Sequence, residues 1–159
     1  MTLFEALTAA RQQIDRLDAR LLLQYATGCS HTDLLARPET PVIAPAYAQF
    51  AAWVERRATG EPLAYLVGEA EFRGRVFQVS PAVLIPRPET EVLIDLALSK
   101  LSGLDSPNVL ELGTGSGIIA ISLALECPTA RVVTVDISNE AILLARNNAG
   151  RLGAKVDCR

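Results

Sequence analysis

Asn108-Val109-Leu110-Glu111-Leu112-Gly113-Thr114-Gly115-Ser116-Gly117 is the stretch on which the fold turns. Its first half, NVLEL, reads as a short strand of mostly apolar residues. Three alternating glycines follow, and then a near-continuous apolar run over residues 118–125 that reads as a helix. A second strand is expected at RVVTV, residues 131–135, and a second helix over 139–149. Strands alternating with helices imply a parallel sheet covered by helices. Glycines at the strand-to-helix turn let the backbone bend tightly and let a ligand approach it with no Cβ in the way.

An acid completes this pattern. Asp136 stands at the end of the second expected strand, about 20 residues beyond the first glycine, where a carboxylate accepts hydrogen bonds from both hydroxyls of a ribose. Three ribose-containing ligands compete for such a site. The dinucleotide fingerprint needs a glycine at position 118, which is Ile118. The triphosphate loop needs a lysine, yet no lysine or arginine lies between Lys100 and Arg131. S-adenosylmethionine carries an adenosine and an amino acid but no phosphate, so it fits a cation-free glycine loop with one carboxylate. Its sulfonium also suits the acids nearby, Glu111 and Asp136. The competing bland reading is a glycine turn that serves only to pack helix on strand.

Upstream the texture is different. Thr2 and Glu5 have the spacing of a capping box. Leu3, Leu7, Ala10, Ile14, Leu17, Leu21 and Tyr25 then recur in steps of three and four, which predicts one helix ended by Gly28. Ser30 and Asp33 cap a short second helix, and Pro45 opens a third that carries Phe50, Trp53 and Val54. Residues 1–65 thus read as a small helical bundle. Phe72, Val76, Phe77 and Val79 around Gly74 predict a β-hairpin. After the extended Pro86-Arg87-Pro88 connector, a helix is expected with Val92, Leu93, Leu96, Ala97 and Leu101 on its apolar face.

Composition narrows the function classes. A net charge of −3 and an isoelectric point near 5.2 give no footprint for gripping nucleic-acid phosphates. Cys29, Cys127 and Cys158 form no CxxC pair, which suits a reduced, cytoplasmic protein, and no metal site is expected. The first residues lack the basic start of a signal peptide, and no apolar run is long enough for a membrane span. His31 reads as a solvated or capping residue, Arg56 and Arg57 as helix-end cations, and Asp15 and Asp18 as the wet side of the first helix.

Residues 56–91 read RRATGEPLAYLVGEAEFRGRVFQVSPAVLIPRPETE. This stretch resembles the hallmark region of the release-factor glutamine N5-methyltransferases, the PrmC/HemK family. The similarity is strongest at Gly60-Glu61-Pro62-Leu63-Ala64-Tyr65, at Glu71-Phe72, at Ile85-Pro86-Arg87-Pro88-Glu89-Thr90-Glu91 and from Glu111 to Gly117. The resemblance implies an α+β chain: a helical N-terminal, substrate-docking domain over 1–65, a β-hairpin linker over 66–87, and from 88 to 159 the start of a Rossmann-like α/β methyltransferase domain.

Further expectations follow from the resemblance. Gly113, Thr114, Gly115, Ser116 and Gly117 contact the methionine part and adjacent ribose of S-adenosylmethionine, and Asp136 takes the ribose hydroxyls. The Arg87-Pro88-Glu89-Thr90 segment lies beside the active-site mouth or acts as a hinge. Peptide-chain release factors are the implied partners, methylated on a glutamine side-chain nitrogen. The family's Asn-Pro-Pro-Tyr element does not occur in these residues, so no catalytic residue is assigned here and the chain alone is expected to be inactive. It is also expected to self-associate through an exposed edge of its first parallel strand. Two alternatives stay open: a related methyltransferase of another protein or of DNA, and a non-catalytic release-factor docking module.

Overall fold

A computed structural model describes residues 1–159. The chain divides into two compact units, Met1–Val67 and Gly68–Arg159.

The first unit is all helix: α1 Leu3–Ala10, α2 Arg16–Thr27, α3 His31–Ala36, α4 Ala44–Ala58 and the single turn α5 Leu63–Val67. The predicted capping box holds: the Thr2 hydroxyl accepts from the Glu5 amide at 3.2 Å, and the Glu5 carboxylate accepts from the Thr2 amide at 2.8 Å. The single long first helix does not. Asp15 accepts a hydrogen bond from the Leu17 amide at 2.7 Å and starts a new helix, so the side chain expected on a wet face is a cap. The break resets the phase of the apolar stripe. Leu17 and Tyr25 are about half exposed, while Ala19, Leu22 and Leu23 are fully buried. Asp18 is likewise not simply solvated, since it takes the Arg57 guanidinium at 2.7 Å. Leu3, Leu7, Leu22, Phe50 and Val54 form the centre of the core.

The second unit opens with a hairpin, β1 Glu69–Phe72 and β2 Arg75–Gln78, in register Glu69 to Gln78. Its two turn residues, Arg73 and Gly74, have φ of 50° and 69°, the left-handed pair that matches the twist of a two-residue hairpin. An arginine seldom adopts that conformation, and here its side chain is tied down. The Arg73 guanidinium donates to both Glu126 oxygens, at 3.0 and 2.7 Å, and to Asp95 at 2.8 Å. Phe72 and Phe77 meet edge to face with centroids 6.3 Å apart and share a core with Ile94, Ile121 and Val132.

Beyond the hairpin come α6 Glu89–Leu101, β3 Asn108–Leu112, α7 Ile118–Glu126, β4 Arg131–Val135, α8 Asn139–Leu152 and β5 Val156–Cys158. The three strands form a parallel sheet in the order β3-β4-β5. This is the expected strand–loop–helix alternation, a partial Rossmann-like layer, with one strand more than the sequence reading. β5 is three residues long and too short to leave a periodic signal, yet it buries Cys158.

The apolar face of α6 is also corrected. Val92, Leu93 and Leu96 are more than half exposed, and Ile94 is the fully buried residue, flanked by Ala97, Leu98 and Leu101. Apolar residues nearly encircle this helix, so two stripes at helical spacing compete, and contact with α7 selects the one through Ile94. On the sheet's outer strand, β3, Leu110 and Leu112 are 65% and 77% exposed.

Candidate functional site

The glycine loop joins β3 to α7. Gly113, Gly115 and Gly117 all have left-handed backbone, with φ of 87°, 53° and 84°. They do two different jobs. A Cβ at Gly113 or Gly115 would meet nothing within 4 Å, so these two border open space where a ligand can lie against bare backbone. A Cβ at Gly117 would fall 2.8 Å from Ile121 Cδ1 and 3.1 Å from Ala145 Cβ, so this glycine lets α7 and α8 close on the turn. The Gly113 and Thr114 amides donate to the Val135 carbonyl at 2.8 and 3.2 Å, which stitches the loop to the end of β4.

Asp136 follows directly. Its Oδ2 accepts from the Gly115 amide at 3.0 Å and its Oδ1 from the Ser138 amide at 2.9 Å. The Ser138 amide, then the Gly115 amide, holds this carboxyl below the usual aspartate range, so it is ionised at neutral pH. Leu112, Gly113, Val135, Asp136 and Ile137 line an open hollow of about 400 Å3, apolar apart from that carboxylate. Such a surface suits a ribose with a flat base beside it.

A second cavity, of about 130 Å3, shares Gly113 with the first. The glycine loop, Ile118 and Ile119 form one wall, and residues 84–87 with Thr90 form the other. Glu111 also lines it. Burial pushes the Glu111 carboxyl above the usual range, partly offset by the Thr134 hydroxyl, which donates to it at 2.6 Å. Thr134 is 2.8 Å from the Thr114 hydroxyl, so Thr114, Thr134 and Glu111 form one chain of hydrogen bonds beneath the loop. The Thr114 hydroxyl is spent on that chain, and what this residue presents to a ligand is main chain.

The loop residues and Asp136, picked out from spacing, therefore converge on one site, and the Arg87–Thr90 segment borders its second cavity. Asn148 was missed. It is wholly buried in α8, accepts from the Gln78 amide at 2.8 Å, and donates to the carbonyls of Gln78 and Ser116, both at 2.9 Å. It ties the hairpin and the glycine loop to one helix. Nothing in a single sequence marks this asparagine, because its partners lie on distant segments. No cluster of three or more metal-ligating side chains is present.

A parallel sheet with a glycine turn after one strand and an acid closing the next is a Rossmann-like layer, and the match of residues 105–159 to the model of a methyltransferase domain sets its class. Residues 3–68 match the model of the PrmC N-terminal domain. The chain is 51% identical over 139 residues to a release factor glutamine methyltransferase of Burkholderia pseudomallei, covering 87% of this chain and 49% of that protein. It is 48% identical to the protein of that name from Bordetella pertussis, over 99% of this chain and 58% of the relative. A third, from Koribacter versatilis, is 44% identical over the whole chain and 59% of its own length. The chain belongs to the release factor glutamine methyltransferase family, and it spans about half the length of these curated relatives. No helix is long and apolar enough to cross a membrane.

Proposed function

We propose that the protein transfers the methyl group of S-adenosylmethionine to the side-chain amide nitrogen of a glutamine in peptide-chain release factors. The observation that carries the donor half is the cation-free loop whose first two glycines face open space, coupled to the ionised Asp136 through the Gly115 amide. The acceptor half is supported by the names of the relatives.

In this reading Asp136 accepts from the two ribose hydroxyls, and the backbone from Gly113 to Gly117 lies under the sulfur and the amino-acid chain. The amide nitrogen attacks the methyl carbon in line with the carbon–sulfur bond. That bond breaks, S-adenosylhomocysteine leaves neutral at sulfur, and the nitrogen gives up a proton. An amide nitrogen is a poor nucleophile, so orientation supplies most of the rate. The residues described above seat the donor, and none of them is assigned to hold the amide.

Two measurements test this. In calorimetric titration with S-adenosylhomocysteine, Asp136→Ala weakens binding by roughly 10- to 150-fold, as loss of hydrogen bonds to a charged group implies. Unchanged affinity removes Asp136 from the site. With labelled donor and purified release factor, label appears on a glutamine of the factor. Label on DNA or on a ribosomal protein overturns the acceptor assignment.

A further inference from the structure

We propose that Arg87 binds the carboxylate at the amino-acid end of the donor, in the cavity between the Pro86–Thr90 segment and the glycine loop. The proposal rests on the donor reading above and adds a residue to it. Gly113 is common to both cavities, so a ligand whose ribose reaches Asp136 extends its other end into the second cavity.

That cavity has a polarity of its own. Its lining includes two charged side chains of opposite sign, Arg87 and Glu111. An α-amino acid group carries the complementary pair, a carboxylate and an ammonium. Glu111 already takes the Thr134 hydroxyl, whereas Arg87, set between Pro86 and Pro88, forms no ion pair within the chain.

Two further features favour an anion on the Arg87 side. Thr90 belongs to the first turn of α6, and Ile118 and Ile119 to that of α7, so the positive ends of two helices border the cavity. Ser116, which also lines it, has a buried hydroxyl with no hydrogen-bond partner. A carboxylate oxygen supplies the acceptor that this hydroxyl lacks.

The test compares S-adenosylhomocysteine with its decarboxylated analogue, which keeps the adenosine, sulfur and amine. Both are titrated into wild type, Arg87→Gln and Arg87→Lys. Arg87 is exposed, so the variants fold. Arg87→Gln is expected to weaken S-adenosylhomocysteine by roughly 10- to 150-fold and to leave the decarboxylated analogue unchanged. Arg87→Lys recovers part of the loss, since a lysine keeps the charge but not the fork. Equal losses for both ligands, or no loss for either, overturn the assignment of Arg87. Wild type that binds neither ligand overturns the donor reading itself, and this inference with it.

Discussion

The two units bury different things. In Met1–Val67 every fully enclosed side chain is apolar, and the polar residues are spent at the surface on caps and ion pairs such as Asp15 and Asp18–Arg57. In Gly68–Arg159 the interior also holds Thr114, Ser116, Ser122, Thr134 and Asn148. Burying a polar group is unfavourable unless it is hydrogen-bonded, so a core that carries five of them is shaped by something besides packing. Thr114, Ser116, Thr134 and Asn148 either belong to the glycine loop or bond to it. The core of the helical unit is packed from apolar side chains alone, whereas the second unit uses part of its interior to support a loop.

The sharpest way to break this contrast is a cavity in the apolar core. Leu22→Ala is expected to cost the helical unit about 2–5 kcal/mol while leaving the affinity for S-adenosylhomocysteine unchanged. Trp53 is the only tryptophan, so urea unfolding followed by its fluorescence reports that unit alone. A large change in donor affinity would show that the apolar core does more than hold itself.

Asn148→Leu is the reciprocal experiment. It leaves the Gln78 amide and two carbonyls without partners, at about 1–3 kcal/mol for each group that water does not reach. Donor binding and the circular-dichroism transition are expected to weaken, with the Trp53 transition unmoved. A shift in the Trp53 transition would erase the distinction.

The smallest expected effect is electrostatic. Glu126 is held below the usual glutamate range, first by the Arg73 guanidinium and then also by Arg75. A carboxyl with a depressed folded value stabilises the fold above its unfolded value, and that contribution disappears as the pH falls through the folded value. Glu126→Gln should therefore be less stable than wild type at neutral pH, and the two should converge in strong acid. A gap that persists in acid would mean that Glu126 acts by packing rather than by charge.

What the sequence showed and what it hid divide along physical lines. Gly113, Gly115, Gly117 and Asp136 were legible because a tight turn and a strand-end acid need those residue types at that spacing. Hairpin, helix caps and the alternation of strands and helices were legible for the same local reason. The break at Asp15 was hidden because an aspartate at helical spacing reads equally as a wet face or a cap, and only its bond to the Leu17 amide separates the two. The exposed face of α6 was hidden because apolar residues surround that helix and only its neighbour chooses among them. Asn148 and the Thr134–Glu111 bond were hidden because their partners are far away in sequence.

Asn148 treats Gln78 as a neighbouring strand would. Its side-chain amide accepts from one main-chain group and donates to the other of the same residue, so α8 lends the hairpin a single rung of ladder. The Gln78 proton is thereby locked by a group that also grips the Ser116 carbonyl. Its exchange with heavy water is a clock for how often this joint springs open, readable at one amide far from the loop in sequence and without any ligand added.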